Sequence, residues 1–155
     1  MKKLIFVFLF IFSVIQFAGA QTIWVETETF SSKGGWTVDG QFIDQMGSPY
    51  LLAHGVGQPV EDAVTRVAVK TKGKYQVWVR TFNWNAPWDV KQAPGTFQLL
   101  INGKEVGGVL GRFPDHWGWV QAGETDIQTN EVTITLHDLT GFEGVTGGLD
   151  GGLMT

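Results

Sequence analysis

The chain has 155 residues, 43% of them hydrophobic and none of them Cys, and a formal net charge of −4. An acidic chain without clustered Lys or Arg is excluded as a phosphate-backbone binder, because nucleic-acid contacts need grouped cations. Zero Cys excludes a disulfide-stapled scaffold, so folding rests on a packed core.

Residues 1–20 read as an export signal. Lys2 and Lys3 form the charged start, 4–15 is an apolar run rich in Phe, Ile and Val, and Ala18-Gly19-Ala20 is a small-residue cleavage site. The apolar run is short for a membrane span and no second one follows. The expectation is export to the periplasm or the exterior, with no membrane partner after cleavage. Cleavage removes two lysines and leaves a net charge of about −6. Residues 21–144 suffice for one domain, which would bury about two-thirds of its chain surface. All seven Trp fall after the signal.

From residue 22 the chain shows short alternating runs separated by Gly, Pro, Asn and Asp, with no sustained helical period. Strands are expected over 22–28, 41–46, 50–53, 63–70, 74–82, 96–101, 104–106 and 131–139. In 22–28, Ile23 and Val25 alternate with Trp24, Glu26 and Glu28. In 74–82, Tyr75, Val77 and Val79 take one face and Trp78, Arg80 and Phe82 the other. Asn102-Gly103 is a hairpin turn. Gly34-Gly35 and Gly107-Gly108 read as turn glycines. The pattern is all-β: an antiparallel β-sandwich of the jelly-roll, galactose-binding-like kind. Residues 145–155 read as an irregular tail, since five of the twelve residues from Gly144 are Gly. No β-branched closing strand is visible there, which would leave a sandwich edge uncovered and stability marginal.

Three groups of residues carry chemistry. Glu26 and Glu28 stand two apart, so a strand would point both carboxylates to one face. Either water solvates them or a cation shares them, and Ca²⁺ suits several hard oxygen ligands. The second group is aromatic. Trp84 and Trp88 lie in "FNWNAPWDVKQAPG", and Trp117 and Trp119 follow "FPDH". An indole offers a flat apolar plate to the C–H face of a sugar ring. Asn83, Asn85, Asp89 and Gln92 in the first segment, Asp115 and His116 in the second, and Arg80 could bond ring hydroxyls. Pro87 and Pro94 would pre-order the loop. The competing reading is that some of these Trp cap the core. The third group, His54, His116, His137-Asp138 and Glu61-Asp62, reads as surface or turn residues. No nucleophile elbow, zinc spacing or phosphate loop accompanies it, and no catalytic residue is assigned.

The order of "WVETETF…GGW", "GKYQVWVR", "FQLLINGK" and "VTITLHDLTGFEG" resembles bacterial carbohydrate-binding-module-like jelly rolls. It is similar above all to the golvesin and xanthan-lyase-type binding domain that begins secreted xanthan-lyase-like or FAD-dependent oxidoreductase proteins. The resemblance covers 23–144. It implies a non-catalytic module that binds a polysaccharide or oligosaccharide and is attached to a C-terminal catalytic domain, with no FAD expected in this chain. It also implies a structural Ca²⁺ at Glu26 and Glu28, which usually takes a further Asp from the closing strand; Asp150 is the candidate. Two other readings stand beside it: a docking sandwich whose aromatic surface packs on a neighbouring domain, and a small stand-alone hydrolase or lyase using Asp115 and His116.

Overall fold

The computed structural model describes residues 21–53, 58–83, 96–112 and 115–139, and the backbone of 153–154. Nine strands among them form two antiparallel sheets. The five-stranded sheet has the order β1 (Trp36–Asp39), β2 (Tyr50–Ala53), β9 (Leu153–Met154), β4 (Gly73–Phe82) and β7 (Gly118–Ile127). The four-stranded sheet has the order β3 (Ala63–Ala68), β8 (Glu131–Asp138), β5 (Phe97–Ile101) and β6 (Lys104–Leu110). This is the expected antiparallel β-sandwich jelly roll.

The core lies between the sheets. Leu51, Val79, Phe97 and Leu136 are essentially removed from solvent, with Trp36 edge-on to Phe97 at 6.2 Å. Each such aliphatic burial contributes about 1.5–3 kcal/mol before entropy is counted. The predicted alternation in β4 holds: Val79 is buried, while Trp78 on the opposite face is exposed. The β5–β6 hairpin turns at Asn102 and Gly103, with φ of 51° and 73°, the left-handed pair that the Asn-Gly dipeptide favours.

Several expectations are corrected. Residues 22–28 form no strand. Residues 21–26 belong to no described ladder, and Thr27–Thr29 is a 3₁₀ turn closed by Thr29 N–H on the Glu26 carbonyl at 3.1 Å. The Thr29 hydroxyl bonds the same carbonyl at 2.6 Å, so a side chain competes locally with sheet pairing. Residues 41–46 contain a helical turn, α1 (Ile43–Met46), ended by Gly47 at φ 82°. Asp39 Oδ1 holds the entry to this turn through the Gln41 amide at 2.6 Å.

Two strands escaped the sequence reading, β1 and the ten-residue β7. A third lies in the expected irregular tail: β9 enters the sheet between β2 and β4, pairing Leu51 with Met154 and Phe82 with Leu153. Gly107 and Gly108 are not turn residues but lie inside β6. Gly107, at φ +82°, presses against β7; a Cβ there would sit 1.5 Å from the Ala122 carbonyl oxygen. Among the described residues no helix is long and apolar enough to cross a membrane.

Candidate functional site

The outer face of the five-stranded sheet divides into a covered part and a bare part. The covered part lies under the segment that carries α1. Phe42 packs on Phe82 at 5.3 Å, Trp117 on Tyr50 at 4.9 Å and on Phe82 at 5.6 Å, with Met46 and Leu52 completing a satellite core. Arg80 fixes the cover by donating from Nη1 to the Met46 carbonyl at 3.2 Å and from Nη2 to the Gln45 carbonyl at 3.4 Å. The Tyr50 hydroxyl donates to Asp39 Oδ1 at 3.0 Å. Burial first, then that bond and the Asp39 charge, push the phenol well above its ordinary range.

The bare part begins one step further along the same strands. Trp78 is 51% exposed, Trp119 47% and Trp24 64%. In the β4–β7 register Arg80 faces Trp119 and Trp78 faces Gln121, which makes Trp78 and Trp119 diagonal neighbours on one face. Trp24 reaches in from the 21–26 segment, its ring 5.4 Å from Trp119 at an interplanar angle of 63°. Its indole N–H donates to Glu26 Oε1.

A polar ladder flanks these rings. Gln121 Nε2 donates to Gln76 Oε1 at 3.3 Å, and Gln76 Nε2 lies 3.5 Å from Glu124 Oε1. The ladder exists because β7 bulges. Val77 pairs with Gly123 and Trp78 with Gln121, so Ala122 is the extra residue, and Gln121 and Glu124 share the outer face despite their spacing of three. A cleft of about 920 Å³ opens beside this face between residues 21–27 and β4, reaching inward to Val77, Leu99 and Ile134.

The residues singled out from sequence are dispersed. Trp84, Trp88, Asn85, Asp89, Gln92 and His54 lie outside the described residues. Asn83 is 2% exposed and donates to the Arg112 carbonyl at 3.1 Å, a structural bond. Trp117 belongs to the satellite core, as the core-capping alternative held for some of these Trp. Trp119 is presented to solvent, while Arg80 is occupied with the carbonyls over α1. Asp115 and His116 are exposed and bonded to each other at 2.9 Å, and that bond holds the Asp115 carboxyl below its ordinary value. His137 is a surface residue, half exposed and bonded to the equally exposed Asp62 at 2.8 Å, whereas its neighbour Asp138 is buried and accepts the Val60 amide at 2.9 Å. Trp24, Trp78, Gln76, Gln121 and Glu124 were not assigned to a site from sequence. The outward position of Trp78 was legible, but the loop Trp drew the assignment.

Glu26 and Glu28 do not project from one strand face, because the 3₁₀ turn intervenes. Glu28 Oε2 is buried without a hydrogen-bond partner, the kind of orphaned oxygen that a cation satisfies. Among the described residues no three carboxylate or imidazole side chains converge into a metal cluster. Asp150 lies outside them.

No family model and no curated protein matches the chain. Solved structures do. A Paenibacillus xanthan lyase matches over 83% of this chain at a TM-score of 0.59 and 15% identity. A Podospora anserina GH26-CBM35 β-(1,4)-mannanase matches over 84% at 0.56 and 16%. A Paenibacillus cycloisomaltooligosaccharide glucanotransferase, solved with cycloisomaltoheptaose, matches over 84% at 0.54 and 15%. The chain spans 12%, 26% and 17% of those three proteins. The likeness is one of fold, to a module-sized part of much longer proteins.

Proposed function

We propose that this chain is a non-catalytic carbohydrate-binding module, exported, and an accessory to a polysaccharide-processing enzyme. The observation that carries the reading is the bare aromatic face: three exposed indoles beside an amide ladder. Sugar rings stack on Trp78, Trp119 and Trp24 through their C–H faces. Gln76, Gln121 and Glu124 bond the hydroxyls, since amides donate and accept as hydroxyls do. The fold likeness to parts of a xanthan lyase and a mannanase supports the accessory role. A parent of the xanthan-lyase-like or FAD-dependent oxidoreductase kind belongs to the same proposal, with Trp84, Trp88, Asn85, Asp89 and His116 as further ligand contacts.

The test is Trp fluorescence and calorimetric titration of the chain against soluble plant and bacterial polysaccharides. Binding that falls at least tenfold in both Trp78→Ala and Trp119→Ala, with the far-ultraviolet spectrum unchanged, supports the reading. Silence toward every glycan sinks it and favours the docking-sandwich alternative, in which a neighbouring domain covers the indoles.

We further propose a structural Ca²⁺ held by Glu28 through its partnerless oxygen, and by Glu26. Such an ion would neutralise a buried carboxylate without entering any reaction. A chelator should then lower the melting temperature of the protein and leave Glu28→Gln unaffected. A chelator without effect on the parent chain removes the ion from the proposal.

A further inference from the structure

The five-stranded sheet has a gap in it. β4 pairs with β7 from Gly73 to Thr81, but on its other edge β9 meets only Thr81 and Phe82. Among the described residues nothing pairs with that edge from Gly73 to Val79. Residues 21–26 run alongside without a ladder, and the cleft of about 920 Å³ separates them from β4. Peptide groups in a strand alternate between its two edges, so about half of those in this stretch face the cleft.

The floor of the cleft is core. Val67, Leu99 and Ile134 of the opposite sheet line it, together with Tyr75 and Val77 of β4. Val67, Tyr75, Val77 and Ile134 pack against the core yet are only partly buried. One added strand would satisfy both needs at once, the edge with its backbone and the floor with every second side chain.

β9 sets the direction. It runs antiparallel to β4, with Leu153 beside Phe82 and Met154 beside Thr81, so a strand on the same line continues toward Gly73. Its residues opposite Val79, Val77 and Tyr75 point to the floor, and those opposite Trp78, Gln76 and Lys74 point outward. Charge marks the far end. Lys72 and Lys74 line the cleft, and among the described residues no ion pair or hydrogen bond engages either ammonium. Asp126, opposite Lys74 on β7, accepts instead from Gln128 at 2.7 Å.

We propose that this gap takes an extended peptide strand of a partner protein, antiparallel to β4, with apolar side chains at alternate positions and a carboxylate near its C-terminal end against Lys72 and Lys74. The backbone edge, the floor and the two lysines carry this inference, so it stands independently of the carbohydrate reading.

The experiment titrates the full chain with the acetylated and amidated peptide Val-Thr-Val-Ser-Val-Glu-Gly, its first residue set opposite Val79. Trp24 and Trp78 line the cleft and report binding by fluorescence, while hydrogen exchange locates it. The peptide should bind saturably and slow alternate amides within 73–79. Gln in place of its Glu should weaken binding about fivefold, and Lys74→Gln should weaken the Glu peptide by as much while leaving the Gln peptide unchanged. Proline at its third and fourth residues removes one N–H from each edge and should abolish binding. No binding of the Glu peptide, or equal binding of the proline peptide, overturns the inference. Slowed exchange confined to β1, β3 or β6 overturns it too, because the peptide then sits on another edge. Equal affinity of the Glu and Gln peptides overturns it as well, since the lysines then select nothing.

Discussion

Trp117 and Trp119 stand two residues apart and face the same side of the same sheet, yet they have opposite fates. Trp117 is packed among Phe42, Tyr50 and Phe82, beneath the segment that carries α1. Trp119 lies just past the edge of that cover and meets solvent and Trp24. Residue type is identical and the two positions are two apart, Trp117 just before β7 and Trp119 inside it. The difference is the reach of a single connection, residues 40–49, held down by Arg80 and by the Asp39 carboxylate. An aromatic therefore becomes core or platform according to what lies over it, which neither its identity nor its periodicity records.

This contrast can be broken by substitution. Trp117→Ala should cost the most, about 3 kcal/mol of unfolding free energy in a urea titration, because it empties the satellite core. Arg80→Met keeps the stem but releases the Gln45 and Met46 carbonyls. It should cost about 1.5 kcal/mol and raise amide exchange in 43–47, an outcome that a merely electrostatic role for Arg80 does not produce.

Tyr50→Phe should cost about 1 kcal/mol at neutral pH through loss of the Asp39 bond. It also tests a pH effect. The Tyr50 phenol holds its proton to higher pH in the folded state than in the unfolded one. The unfolded chain therefore releases that proton first as pH passes about 10, and the parent loses stability above that point. Tyr50→Phe should flatten the decline in an alkaline melting series.

Trp119→Ala should cost least, within about 0.5 kcal/mol, and change only ligand binding. A large stability loss there would erase the contrast between covered and bare Trp.

Much of the fold was legible. β4 and β8 display a period of two, and the Asn102-Gly103 turn is written in its dipeptide. β7 was not legible because its outward residues, Trp119, Gln121, Glu124 and Asp126, change spacing at Ala122, and the bulge erases the alternation. β1 is four residues long, too short to show a pattern against its glycines. Residues 22–28 alternate well but pair with no described strand, since alternation specifies two faces and not a partner. The site was half legible. Exposed Trp of strand parity could be read from 74–82, whereas the amide ladder needed a bulge that no local signal announces.

Gly107 touches neither the indoles nor the ladder, yet it presses on the residue whose extrusion puts Gln121 and Glu124 on one face. Any side chain at 107 must push Ala122 away, and the ladder with it. In a library selected for new ligands, positions 76, 121 and 124 would accept wide exchange while position 107 accepted none. The specificity of this surface can drift over many generations, on the condition that one distant residue never acquires a side chain.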